Sequence, residues 1–261
     1  THFVPVTLCI TQKARVNLRL GGVKHIVTGT KCVTVAIGRR KATMEKQSAF
    51  AGREHTLPAD IERTSMAIIN EELEALGIEI CAENLPVVKR VIHTTADFDY
   101  AANLHFTPHA VERAKAVLAA GDATIVTDTN MAFSGVSKPA LAKLGAQARC
   151  YMAEESIKAQ AKELGVTRAV ASVMRASSEY PNAIFAVGNA PTALLALADL
   201  MRDGLRPSLI IGAPVGFVNV VEAKELIFDL CQELDVPAIV AFGRKGGSNV
   251  AAAICNALAY G

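Results

Sequence analysis

Residues 238–257 read AIVAFGRKGGSNVAAAICNA and contain one complete strand–turn–helix unit. The apolar run 238–242 predicts a short buried strand, and the glycines within 243–247 predict a turn. The alanine-rich run that begins at Ser248 predicts a helix that continues towards residue 259. A strand that passes through a tight turn into a helix is the repeating unit of a parallel α/β sheet.

The same unit occurs three more times nearer the amino terminus. The apolar runs 123–127, 184–187 and 209–211 each end in a turn and are followed by a helical pattern. Four such units imply right-handed crossovers, with helices on both faces of a mostly parallel sheet. We therefore predict a protein of the α/β class with a three-layer α/β/α fold. Ligands of such sheets bind beyond the carboxyl ends of the strands.

Helical patterns fill the segment between residue 58 and the first of these strands. The first helix is predicted to begin with Asp60 as its N-cap and to end before Gly77. Its expected buried stripe consists of Ile61, Ile68, Leu73 and Leu76. A second helix is predicted from Asn84 to residue 92, with a short strand as the competing interpretation. A third begins at Thr107-Pro108 and ends at residue 121.

The amino-terminal part has a different composition. Residues 1–57 contain ten Lys/Arg and two acidic residues, a net charge of +8, whereas residues 58–261 contain 17 and 23, a net charge of −6. Alternating apolar residues around Gly21-Gly22 predict a small antiparallel meander over 15–38, followed by a linker. We therefore predict a short β-rich extension over 1–57 and a main domain over 58–261. The extension either docks on the acidic body, binds an anionic partner or is simply solvated.

The overall composition excludes several classes of protein. The chain has 261 residues, of which 51% are hydrophobic and 20% charged, which excludes a disordered chain. No apolar run reaches the roughly 18–20 residues of a membrane span, and residues 3–10 lack the preceding basic residues of a signal peptide. We expect a soluble cytoplasmic protein. Six scattered cysteines form no CxxC pair and have no histidine at ligand spacing, which predicts reduced thiols and no metal site.

The turns after the last three strands are rich in glycine, and each of them leads directly into a helix. Helix starts offer unpaired N–H groups with a partial positive charge, and glycine lets a ligand approach the backbone. Together with Arg244 and Lys245 they predict a site for a ligand with several negative groups. Close packing of strand and helix is the alternative explanation for each glycine. Neither the P-loop spacing nor GxGxxG occurs, so no known nucleotide motif is present.

Two titratable residues are candidates for chemistry. His93 ends the second helical segment, where an imidazole, with an ordinary pKa of about 6.5, suits proton donation near neutral pH. A histidine that only caps the helix is the alternative. Asp128 ends the first strand and either orients His93 or the ligand, or caps a turn. His105 and His109 are expected to be exposed, and no GxSxG nucleophile motif occurs.

Six stretches between residues 61 and 258 share their residues and their order with a known family. They are IERTSMAII (61–69), KRVIHTTADFDYAANLHFTPHAV (89–111), IVTDTNMAFSGV (125–136), VGNAPTALL (187–195), IIGAPVGFVNVVEAK (210–224) and GRKGGSNVAAAICNAL (243–258). In these stretches the sequence resembles the precorrin-8X methylmutase family (precorrin isomerases), which includes the cobalt-precorrin-8 methylmutases of cobalamin biosynthesis. The motifs GNAPTAL, G-x-PVGFV and GR-[KR]-GGS are the most specific, whereas residues 1–57 match nothing in the family.

The resemblance implies an isomerase of tetrapyrrole metabolism. Such an enzyme moves a methyl group from C-11 to C-12 of the macrocycle in a [1,5]-sigmatropic shift, and His93 in RVIHTT would protonate the adjacent ring nitrogen. It implies no cofactor, a precorrin-8X or cobalt-precorrin-8 substrate and a homodimer with active sites near the subunit interface. Neither a membrane nor a nucleic acid is expected as a partner.

A macrocycle edged with carboxylates defines which other residues are expected at the site. Carboxylate and ring-nitrogen partners are expected among Arg63, Ser65, Arg90, Asp128, Asn130, Asn189, Arg244, Lys245 and Ser248. The ring face is expected to lie against Met131, Val215 and Phe217. The alternatives are a non-catalytic tetrapyrrole carrier and an α/β phosphate-binding transferase.

Overall fold

The structure is a computed structural model that describes residues 17–20, 23–26 and 57–260. The chain divides into two compact units, Thr1–Glu54 and His55–Gly261. In the first unit, β1 (Asn17–Leu20) and β2 (Val23–Ile26) pair as an antiparallel hairpin. The hairpin predicted around the two glycines is therefore confirmed. The remaining part of the predicted meander and nearly all of the linker lie outside the described residues.

The second unit contains a six-stranded sheet. Its strands are β3 (Leu104–Phe106), β4 (Thr124–Thr127), β5 (Gln147–Arg149), β6 (Ile184–Val187), β7 (Leu209–Gly212) and β8 (Ala238–Ala241), in the order β3-β8-β7-β6-β4-β5. All neighbours are parallel except β3, which is antiparallel to β8. The predicted mostly parallel sheet is confirmed, and the two three-residue edge strands are additions to the prediction.

Helices cover both faces of this sheet. They are α1 (Pro58–Ala75), α2 (Leu85–Thr95), α3 (Tyr100–Asn103), α4 (Ala110–Ala119), α5 (Asn130–Gly135), α6 (Lys138–Lys143), α7 (Glu155–Leu164), α8 (Arg168–Glu179), α9 (Pro191–Arg202), α10 (Val220–Glu233) and α11 (Ser248–Tyr260). Successive strand residues enter opposite cores: Ile184 belongs to the core that contains residues of α2 and α11, and Phe185 belongs to the core that contains residues of α8, α9 and α10. This alternation confirms the three-layer fold.

The start of α1 differs from the prediction. Pro58 occupies the first turn and Leu57 is the N-cap, so Asp60 lies inside the helix and pairs with Arg63. Proline favours this position because its missing N–H is not needed there. The second helix is confirmed as α2, with Val88, Val91 and Ile92 buried, and the strand alternative is wrong.

The buried face of α1 also differs. Ile69 and Leu73 are buried against α2, whereas Ile61 and Ile68 are each 47% exposed and Leu76 is exposed as well. Residues 69 and 73 are one turn apart and face the core together, but the predicted stripe mixed two helix faces. In the described ranges, no helix is long and apolar enough to cross a bilayer.

Candidate active site at the carboxyl edge of the sheet

Four turns meet at the carboxyl edge of the sheet, after β4, β6, β7 and β8. The turns after β7 and β8 are joined by a hydrogen bond of 2.8 Å from Gly247 N to Ala213 O. The turns after β4 and β8 are joined by a 2.8 Å hydrogen bond between the hydroxyls of Thr129 and Ser248. These contacts make the turns one connected surface, at the edge where ligands of parallel sheets bind.

Two glycines allow the turns to pack closely. A Cβ atom on Gly246 would lie 2.3 Å from Ala213 O, and one on Gly188 would lie 2.7 Å from Ser248 Cα. Backbone atoms cannot move aside for such contacts without displacing a whole turn. Close packing therefore explains glycine at these two positions, and ligand binding by the turns stays a prediction.

Asp128 holds the turn that follows β6. Its carboxylate oxygens accept hydrogen bonds of 2.8 Å from the backbone N–H groups of Gly188, Asn189 and Ala190. Burial raises the pKa of Asp128, and the three donors oppose that rise. A capping role is confirmed, although the capped turn belongs to the neighbouring strand. In the described part of the chain, no hydrogen bond joins the Asp128 carboxylate to His93.

His93 lies in the last turn of α2, with its side chain exposed. The segment after α2 is tied to the turn after β8, because Lys245 Nζ lies 2.6 Å from both Asp97 Oδ2 and Asp99 Oδ2. The hydrogen bond to Lys245 lowers the pKa of Asp97, and both carboxylates raise the pKa of Lys245. The helix end that carries His93 is thus held to the turn that carries Arg244.

Two carboxylates of the chain thus pair with Lys245, whose binding of a substrate carboxylate stays a prediction. A substrate carboxylate would have to compete with two carboxylates that already neutralise the ammonium. Sequence reasoning missed Asp97 and Asp99 because their partner lies more than 140 residues further along the chain. Their only sequence signal is two acids in the DFD triplet directly after RVIHTTA.

Three predicted donors on α1 and α2 have local partners instead. Arg63 pairs with Asp60, and Ser65 Oγ donates to Ile61 O at 2.7 Å. Arg90 lies 2.8 Å from a Glu62 carboxylate oxygen and over the Tyr260 ring, at the opposite end of α11 from Ser248. In the described part of the chain, no hydrogen bond or ion pair joins these three residues to the four turns. The binding of substrate by these three residues stays a prediction.

Exposed apolar side chains surround the turns. Phe217 is 83% exposed, Met131 is 72% exposed, and Val215 and Val218 are also exposed. The Arg244 guanidinium lies 5.5 Å from the centroid of the Phe217 ring. Asn130 and Asn189 are exposed here too, and Ser248 is buried. Apolar exposure of this kind beside polar groups is typical of a ligand-binding surface.

Two further histidines flank the segment between β3 and α4: His105 lies in β3 opposite Val240 of β8, and His109 directly precedes α4 at the amino end of β8. His105 is half-buried rather than exposed, because its ring stacks on Phe242 at 4.1 Å. His109 is exposed as predicted, and it forms a group of possible metal ligands with Glu83 and Glu112. Glu83 Oε1 accepts a hydrogen bond of 3.0 Å from Glu112 N at the start of α4. Helix capping therefore accounts for this group.

The fold and the connected turns define a three-layer α/β protein of the type that binds ligands at the carboxyl ends of its parallel strands. A family model described as precorrin-8X methylmutase matches residues 60–261. The chain belongs to the precorrin-8X methylmutase family, whose members are isomerases. This confirms the resemblance found in the six sequence stretches.

Individual relatives agree with this assignment. The cobalt-precorrin-8 methylmutase of Priestia megaterium is 39% identical over 202 residues, which cover 77% of this chain and 87% of that protein. The precorrin-8X methylmutase of Pseudomonas aeruginosa is 38% identical over 200 residues, or 76% and 93% of the two chains. A solved precorrin-8X methyl mutase from Thermus thermophilus superposes with a TM-score of 0.67 at 40% identity, covering 77% and 96%.

Proposed function

We propose that this protein is a precorrin-8X or cobalt-precorrin-8 methylmutase that moves a methyl group from C-11 to C-12 of the macrocycle. Family membership over residues 60–261 supports the reaction class. The observation that carries the site assignment is the double ion pair of Lys245 with Asp97 and Asp99, which holds the end of α2 at the turn after β8. This contact supports the assignment of His93 and Arg244 to one site.

His93 is the proposed proton donor. His93 lies in the last turn of α2 and is exposed, so a bound ligand has access to its side chain. The imidazolium donates its proton to the ring nitrogen beside the migration site. The bond from C-11 to the methyl carbon breaks as the bond from C-12 forms, and the nitrogen then returns the proton. Substrate and product have the same atoms and electrons, so the step needs no oxidant or reductant.

Arg244 and the surrounding turns are proposed to bind the rim of the macrocycle. Its carboxylates would pair with the Arg244 guanidinium and with N–H groups of the glycine turns. Its apolar face would lie against Met131, Val215 and Phe217, whose exposure favours such a contact. We also propose a homodimer, which the family resemblance implies, and a cytoplasmic location, which the composition predicts.

The proposed function is tested by incubating the purified protein with precorrin-8X and, separately, with cobalt-precorrin-8. Conversion of either substrate changes the conjugation of the macrocycle, so the visible absorption spectrum should shift with time. The substrate that is converted identifies the branch of the pathway. A protein that co-purifies with coloured tetrapyrrole but converts neither substrate would instead be a carrier.

We expect Arg244→Ala to weaken substrate binding more than turnover. Loss of one charge-assisted hydrogen bond should raise KM by about 10- to 100-fold while kcat changes little. Steady-state kinetics on the converted substrate measures both. Unchanged KM with collapsed kcat would instead place Arg244 at the reacting atoms.

We expect a protein without residues 1–57 to fold and to retain activity. The family match begins at residue 60, and every proposed site residue lies after Pro58. Circular dichroism and the substrate assay test this prediction. If the shortened protein were folded but inactive, the extension would belong to the active site.

Nucleic-acid binding by the full chain with steep salt dependence would support the anionic-partner interpretation of the extension.

A further inference from the structure

Lys224 is a fully buried charge that the mechanism above does not use. It lies on α10 with a relative exposure of 0%, among apolar residues of the second core. In the described part of the chain, no carboxylate forms an ion pair with it, although a buried charge is costly unless it is paired and hydrogen-bonded. Burial lowers the pKa of Lys224 to about 8, so the side-chain amine is mostly protonated, and therefore charged, at pH 7.

The ammonium is bound instead to the turn after β8. Lys224 Nζ donates to Gly243 O at 2.9 Å and to Lys245 O at 2.8 Å. Both carbonyls therefore point inwards, towards α10. Buried backbone carbonyls require donors, and Lys224 satisfies two of them with one group.

The direction of these carbonyls fixes the direction of two N–H groups. No peptide bond in the described residues is cis, and in a planar trans peptide the N–H points away from the C=O. The peptide that contains Gly243 O also contains Arg244 N, and the peptide that contains Lys245 O also contains Gly246 N. Both N–H groups therefore point away from the Lys224 ammonium. Among the described residues, neither has a hydrogen-bond acceptor.

We propose that Lys224 is a positioning residue, which holds two carbonyls of the turn after β8 inwards and thereby presents the N–H groups of Arg244 and Gly246 to a substrate carboxylate. Outward backbone N–H groups in a glycine turn form an anion-binding concavity. The Arg244 side chain leaves the same turn and adds a charged donor beside them. This inference rests on the proposed function and specifies how the macrocycle rim is recognised.

The kinetic test replaces Lys224 by a residue whose side chain has a similar length but carries no charge. Lys224→Met should raise KM for the substrate that the wild type converts by about 10- to 100-fold, because the turn loses its binding geometry. Lys224→Gln, which keeps a donor for one carbonyl, should give a smaller rise. The kcat of folded protein should change much less than KM. A loss of kcat with unchanged KM, or no change in either constant, would overturn the proposal.

The matched control is Arg206→Met. Arg206 also donates to two carbonyls, Met201 O and Leu205 O, each at 2.8 Å, but at the opposite end of β7 from the site. Removing this cation should leave KM unchanged. If KM rose equally in this variant, the loss of any cation that binds two backbone carbonyls would raise KM, and the proposal would be overturned.

Limited trypsin digestion gives a second readout that does not depend on activity. Loss of the anchor should let the turn open locally, so cleavage after Arg244 and Lys245 should be faster in Lys224→Met than in the wild type. It should be unchanged in Arg206→Met. Equal cleavage in Lys224→Met and wild type would overturn the anchoring role. If the wild type converted neither substrate, the proposed function would fail, whereas the digestion would still decide whether Lys224 holds the turn.

Discussion

Replacing His93 by alanine should abolish the methyl shift and leave the fold and the binding of the macrocycle largely intact. The side chain is exposed at the end of α2, so its removal leaves no cavity in the core. A general acid contributes roughly 10²–10⁴-fold to the rate of a proton-dependent step. The expected loss in kcat is therefore about 10²–10⁴-fold, with KM nearly unchanged.

The control for His93→Ala is His109→Asn. His109 is also exposed, but it lies before α4, at the opposite end of β8, and its backbone has a φ of 57°. Asparagine tolerates this left-handed conformation better than alanine does. The control should retain wild-type turnover. If His93→Ala kept more than about a tenth of the wild-type rate, the loss would be too small for a general acid, and His93 would lose its assigned role.

Replacing Asp128 by alanine should strongly destabilise the protein. Three backbone N–H groups would lose their common acceptor, and the first of them, on Gly188, is buried. A buried donor without an acceptor costs about 1–3 kcal/mol, so the free energy of unfolding should fall by about 2–4 kcal/mol. The free energy of unfolding of a typical domain is only about 5–15 kcal/mol. Urea denaturation followed by circular dichroism measures this loss.

Asp199→Ala is the matched control for the aspartate. Asp199 lies on α9 and forms an exposed ion pair of 3.0 Å with Arg202. Such a pair contributes about 0–1 kcal/mol, so the control should be nearly as stable as the wild type. If Asp128→Ala were as stable as this control but inactive, the carboxylate would act on His93 or on the substrate, which is the alternative that the sequence left open.

The central strands of the sheet can be predicted from sequence because each is a buried apolar run that ends at a turn. The four predicted runs agree with β4, β6, β7 and β8 to within one residue. The edge strands β3 and β5 cannot be predicted in this way, since each has three residues and β5 exposes Gln147 and Arg149. On α1, apolar residues occupy two faces, and only packing against α2 determines that Ile69 and Leu73 are buried.

The candidate site is predictable where it depends on local pattern and unpredictable where it depends on distant partners. The glycine turns, His93 and the exposed Phe217 follow from spacing and from the family resemblance. The partners of Lys245 and the burial of Lys224 cannot be predicted in this way, because a lysine in a helix or turn is ordinarily expected to be exposed to solvent. Only the folded chain brings their partners to them.

The central claim is that this protein moves a methyl group within the macrocycle, with His93 as the proton donor. The most direct test uses substrate that carries ¹³C in the methyl group on C-11, and follows that carbon by NMR with wild-type protein and with His93→Ala. With the wild type, the labelled signal should move to the position of a methyl on C-12 while the molecular mass stays the same, and with the variant it should stay in place. A labelled methyl that remained on C-11 in the presence of folded wild-type protein would contradict the assigned reaction, and a signal that moved equally fast with His93→Ala would contradict the assigned role of His93.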